Sequence, residues 1–170
     1  ASTGIGGVPQ DTKSILVLDT YAIKCIANNQ QQYLYAPTHL NPTSEYGVTF
    51  ERGVSVEFGD RKHLYISGTA SINNKGEVVH VGDIVKQTHR MWENVETLLA
   101  EGGAEFGDVT QIVVYLRDGA DYDVVRKMFE EKFPETPFVI TLAPVCRPQW
   151  LIEMECMAIT PNDTCEYRDF

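Results

Sequence analysis

The sequence predicts an α+β domain, a mixed sheet carrying two helices on one face. Two apolar stripes of helical period run over about residues 83–101 and 121–133. Short β-branched segments lie before, between and after them. The order strand, strand, helix, strand, helix, strand, strand supplies only enough helix to cover one face of one sheet. The other face therefore needs a second surface, and a partner subunit would supply it.

The chain has 170 residues, enough for one compact domain with a core and short for two. With 43% hydrophobic and 22% charged residues it has the composition of an ordinary soluble globular protein. No apolar run approaches the roughly 18 residues that span a bilayer, so no membrane partner is expected. Lys and Arg number 14 against 24 Asp and Glu, a formal net charge of −10 that repels phosphate backbones and argues against nucleic acid as a partner. Cys25, Cys146, Cys156 and Cys165 form no CxxC pair, and no secretory signal precedes them, which favours free thiols and a cytoplasmic setting. His39, His63, His80 and His89 have no HxxxH or HExxH spacing, so neither a metal nor another cofactor is expected.

Residues 1–14, ASTGIGGVPQDTKS, lack apolar periodicity and predict a loose arm. The aliphatic residues of Ser14 to Ile26 predict one strand, and Gln32 to Ala36 a second, so that residues 1–45 form an arm and extension with one or two strands. APTHLNPTSEYG reads as a linker into a main domain at residues 46–160, followed by a tail at 161–170. The domain opens with strands Val54–Phe58 and Leu64–Ser67, joined as a hairpin by Gly59-Asp60-Arg61. Asp83 can accept from the orphan amides of a first helical turn. Thr88, Met91, Trp92, Val95, Leu98 and Leu99 then recur on one stripe until Gly102-Gly103 supplies the stop. Val109 to Leu116 alternates as a central strand, with Ile112, Val114 and Leu116 on one face and Gln111, Val113 and Tyr115 on the other. Asp121 to Phe133 predicts the second helix, with Tyr122, Val125, Met128, Phe129 and Phe133 inward and Pro134 ending it. Strands Phe138–Leu142 and Trp150–Ile159 close the domain.

The last segment, VCRPQWLIEMECMAI, carries the candidate chemistry. Alternation puts Trp150, Ile152, Met154, Cys156 and Ala158 on the helix side and Leu151, Glu153, Glu155, Met157 and Ile159 on the other. Two carboxylates two residues apart on a strand are separated by roughly 6.8 Å. In a partly buried setting they raise one another's pKa, which can supply a protonated general acid at neutral pH. The pattern equally suits two glutamates that pair with basic residues across a subunit interface.

LYISGTASINNKGEVVHVGDIVKQTHRMWENVETLLAEGG, VTQIVVYLRD and VCRPQWLIEMECMAI, in that order and spacing, resemble the YjgF/Rid superfamily over about residues 46–160. The resemblance implies a chorismate-mutase-like fold and a homotrimer around a central barrel, with small-molecule clefts between neighbours. Labels attached to the superfamily also include ribonuclease and translation initiation inhibitor, which the −10 charge disfavours here. In its deaminase branch a glutamate of the last strand places the attacking water, and Glu153 matches it. An arginine that binds the substrate carboxylate falls, by equal spacing, at Phe138, and the tyrosine of the first strand looks like Phe50. These two departures disfavour enamine/imine deamination.

SEYG, SGTASI, VYLRD and the CR preceding E-x-E resemble more closely the C-terminal domain of the chorismatases, hydrolases that cleave the enol ether of chorismate. That resemblance implies that Glu153 protonates the enolpyruvyl methylene, that Cys146 stands for the cysteine seven residues before it, and that Ala70 lines a ring pocket. Arg147 and Tyr46 are then candidate contacts for a carboxylate or ring hydroxyl, with Ser67, Gly68, Phe138 and Glu155 completing the candidate site. Cys146 also fits a small buried thiol, Arg147 a partner of Glu155, and SGTAS a turn of small residues. Chorismatases carry a further N-terminal domain, where this chain has about 45 residues. Three functions stay open: a hydrolase acting through Glu153, a trimer that binds a metabolite without turnover, and a scaffold acting through its N-terminal arm.

Overall fold

The computed structural model describes residues 1–170 except Val8 and Thr12, and of Tyr46 the backbone only. Strands β1 (Gln31–Leu34), β2 (Gly53–Glu57), β3 (Arg61–Ala70), β4 (Val109–Leu116), β5 (Phe138–Leu142) and β6 (Ile152–Pro161) form one sheet in the order β1-β2-β3-β6-β4-β5. All neighbours are antiparallel except β4 and β5, whose parallel pairing requires the crossover helix α2 (Tyr122–Lys132) between them. The other helix, α1 (Ile84–Glu101), packs mainly on β3 and β6.

Local chemistry explains the elements. The Asp83 side chain accepts from the Lys86 amide at 3.0 Å and starts α1. Gly103, at φ +76°, ends it in a conformation that glycine adopts without a Cβ penalty. Between these ends Met91, Val95, Leu98 and Leu99 are fully buried, and each such side chain contributes roughly 1.5–3 kcal/mol. Buried Asn94 donates to the carbonyls of Ala70 (2.9 Å) and Ile72 (3.1 Å), fastening α1 to the end of β3. Trp92, Phe129 and Phe133 stack edge to face between the two helices. On the sheet, Ile112, Val114, Leu116, Ile152, Met154, Cys156 and Ala158 meet the helices, as alternation predicts.

The structure corrects four expectations. Ser14–Ile26 forms no strand: although β1 and β5 each leave an outer edge of the sheet, Ile15, Leu16, Val17 and Leu18 stay exposed instead of packing on it. Among the described residues the extension therefore contributes one strand, β1. The linker segment is part of the core, where Ala36 and Leu40 are buried beside Leu34. Tyr122 is exposed rather than inward, because α2 meets the core mainly through Val125 and Phe129. Finally, the last strand begins at Ile152, after a turn in which the Trp150 amide donates to the Arg147 carbonyl at 3.0 Å.

Candidate functional site

The site lies on the helix-free face of β6, where β3 is irregular. Register pairs Ile66 with Cys156 and Thr69 with Met154, so Ser67 and Gly68 together oppose Glu155 in a bulge. Glu153 stands between Ala70 on β3 and Tyr115 on β4, and the Tyr115 hydroxyl donates to Glu155 Oε1 at 3.0 Å. A Cβ on Gly68 would lie 2.0 Å from Glu153 Oε1. The bare glycine is what lets the carboxyl rest against the bulge.

Glu153 is 4% exposed, and its Oε2 has no hydrogen-bond partner among the described residues. Burial first, and then the Glu155 carboxylate, raise its pKa to about 7 against the opposing charge of Arg52. Neither glutamate forms an ion pair within the chain among the described residues. Burial, with the nearby carboxylates, also raises the Tyr115 phenol, so it stays a hydrogen-bond donor.

The structure gathers some predicted residues and disperses others. Ser67, Gly68, Glu153 and Glu155 come together, and Cys146 stands close enough for the Glu153 charge to raise its thiol, after the larger effect of burial. Cys146 is an exposed thiol that donates to the Gly4 carbonyl at 3.3 Å, not the small buried thiol that its apolar flank also allowed. Ala70 is buried in the packed core, directly opposite Glu153. Arg147 donates to the Gly76 carbonyl at 2.6 Å and lies over the Trp150 ring, directed to the β3–α1 loop. Phe138 pairs with Ile112 and contacts Phe129 at 5.6 Å, so its ring lies on the helix side of the sheet, away from Glu153. Tyr46 ends a short turn at Thr43–Tyr46, and its side chain lies outside the described residues.

Three contributors were not read from the sequence. Tyr115 alternates onto the correct face, but its place beside Glu153 depends on the β4–β6 register. Arg52 is buried, donates to the Asn41 carbonyl (3.0 Å) and Asn41 Oδ1 (3.1 Å), and reaches the site because Ser67 N–H donates to its carbonyl. Thr3 arrives from the N-terminal arm and accepts from Gly68 N–H at 2.8 Å. Beside these groups is a cavity of about 190 Å³ bordered by Ser2, Thr3, Tyr65, Gln111 and Glu155. It is below the drug-sized range. Among the described residues no group of three or more His, Cys, Asp or Glu side chains is placed to hold a metal ion, and no helix is long and apolar enough to cross a membrane.

A profile of the endoribonuclease L-PSP family matches residues 52–160. A protein of Acinetobacter baylyi named 3-aminoacrylate deaminase RutC is 38% identical over 72 residues, which are 42% of this chain and 57% of that protein's length. A RutC family protein of Pyrococcus abyssi is 36% identical over 98 residues, 56% of this chain and 76% of its own. The structure of the Escherichia coli YjgF gene product superposes with a TM-score of 0.61 at 20% identity, over 75% of this chain and 98% of that one. Yeast Mmf1 gives 0.65 at 14% identity, over 76% and 98%. With a family match across most of the chain and the mixed sheet and paired helices of those structures, this chain belongs to the endoribonuclease L-PSP family, the YjgF/Rid superfamily.

Proposed function

We propose that the chain hydrolyses a small unsaturated carboxylate, with Glu153 as general acid and base, in a cleft completed by a neighbouring subunit of a homotrimer. The observation that carries this reading is the Glu153 carboxyl itself: buried, lacking a partner at Oε2 among the described residues, and with a pKa raised to about 7. A carboxyl of ordinary pKa holds almost no proton at neutral pH, whereas this one is about half protonated there.

The chemistry that such a group serves is protonation of an electron-rich carbon. Glu153 gives its proton to the terminal carbon of a C=C bond bearing oxygen or nitrogen, and the adjacent carbon becomes an oxocarbenium or iminium centre. Water adds to that centre while the Glu153 carboxylate accepts a water proton. Collapse of the adduct expels an alcohol from an enol ether or ammonia from an enamine, leaving a carbonyl. Arg52, whose positive charge already acts on Glu153, is the group suited to balance the substrate's carboxylate. The RutC name of one relative supports the nitrogen substrate. The phenylalanine at position 138, turned to the helix side, removes the guanidinium that the resemblance expects for that substrate and supports the enol ether.

The test is turnover by the purified chain of chorismate, followed as pyruvate, and of 3-aminoacrylate, followed as ammonia, each beside Glu153→Gln. Release by the parent and at least a hundredfold loss in the variant is the expected result, the usual scale for a general acid. Binding of either compound without turnover would replace this reading by that of a non-catalytic binding trimer. Equal rates in parent and variant would remove Glu153 from the chemistry.

A further inference from the structure

A general acid must meet its substrate, yet Glu153 is 4% exposed. Part of its cover is the chain's own N-terminal arm. Ser2 N–H donates to Ser67 Oγ at 3.0 Å, and Thr3 Oγ1 accepts from Gly68 N–H at 2.8 Å. Further along the arm, the Gly4 carbonyl accepts from Cys146 Sγ at 3.3 Å and Gly6 N–H donates to the Pro144 carbonyl at 3.0 Å. The segment thus bridges the β3 bulge, against which Glu153 rests, and the β5–β6 loop, whose Cys146 lies near enough to feel the Glu153 charge.

Thr3 matches its place twice. Its hydroxyl satisfies an amide in the bulge, where the β3–β6 ladder is interrupted. Its methyl fits the space left by the missing side chain at 68: a Cβ there would meet Thr3 Cγ2 at 2.6 Å and Glu153 Oε1 at 2.0 Å. Because Gly68 donates to it, the hydroxyl retains its own hydrogen for a further acceptor. Ser2 and Thr3 also border the small cavity, which Glu155 lines as well, so the arm lies beside both the Gly68 bulge against which Glu153 rests and the space for a ligand.

We propose that Thr3 is a positioning and specificity-determining residue of this site: anchored on Gly68, it holds Ser2–Gly6 across Glu153 and Cys146 and limits what reaches the acid. The catalytic half of this inference rests on Glu153 acting as proposed above, and the docking half does not. The ligand class that follows is a compact carboxylate able to share the cleft with a threonine.

Cys146 provides a readout that needs no substrate. In a Cys25→Ser, Cys165→Ser background, which removes the other exposed thiols, alkylation of Cys146 by iodoacetamide is followed by mass spectrometry. Thr3→Val keeps the shape and loses the acceptor, and Thr3→Ser keeps the acceptor. Thr3→Val should accelerate alkylation about tenfold, the factor corresponding to loss of one partly buried hydrogen bond, while Thr3→Ser should react like the parent. Equal rates for parent and Thr3→Val, with unchanged circular dichroism, would overturn the docking half. In the turnover assay, Thr3→Val should lower kcat and Thr3→Ser should restore it. An unaltered kcat in Thr3→Val would overturn the positioning role. A parent without turnover would end the Glu153 reading and with it the catalytic half, and the alkylation rates would still decide whether Thr3 holds the arm.

Discussion

Glu153 is held in a state that costs stability above neutral pH. Its pKa in the folded protein, about 7, lies above the ordinary glutamate value, so between roughly pH 4.5 and 7 the folded state binds more proton than the unfolded one. Stability from this group is therefore fully present at low pH and is lost as pH rises through that window. Glu153→Gln supplies a neutral group of the same shape. It should leave the melting temperature almost unchanged at pH 5 and raise stability at pH 8 by up to about 3 kcal/mol, measured by urea unfolding at the two pH values. A rate that uses the protonated carboxyl should likewise fall as pH passes 7. The neighbouring glycine sets the opposite constraint. Gly68→Ala would place a methyl against Glu153 Oε1 and the arm, and it should destabilise by about 1–3 kcal/mol while displacing the carboxyl.

The elements that proved legible are those whose cause is local. α1 runs from its Asp83 cap to its Gly102-Gly103 stop because cap, stripe and stop lie within one stretch of chain. Asp83→Ala should lower the melting temperature by roughly 2–4 °C by leaving the first-turn amides without their acceptor. β4 and β5 match their predicted bounds for the same reason, since alternation is a property of consecutive residues. The resemblance brings Ser67 and Gly68 to the candidate site, but the β3 bulge that seats them exists only against β6, and the contact of Thr3 with Gly68 only against the arm, so neither was legible. Ser14–Ile26 misled for the converse reason: β-branched residues suit a strand only where they pack on a half-buried surface, and these side chains stay exposed. Equal-spacing arithmetic brought Phe138 to the site, and register turned it to the helix side.

At the scale of the molecule, two helices cover one face of a six-stranded sheet and leave Tyr65, Val113, Tyr115, Met157 and Ile159 half-buried on the other. Such a face with two carboxylates at its centre accounts for the proposed trimer, because a neighbour would both bury the apolar side chains and complete the cleft. Light scattering should give three times the 19.1 kDa chain mass, and a species of the chain mass at all concentrations would contradict the trimer. Whatever the assembly, the proposed chemistry depends on one carboxyl keeping its proton near neutrality. The most direct measurement is the titration of Glu153 by carbon NMR of glutamate-labelled protein, its resonance assigned by its absence in Glu153→Gln. A midpoint near pH 7 is the predicted result. A midpoint at the ordinary glutamate value, about 4.3, would mean that Glu153 is ionised at neutral pH and is not the acid of this site.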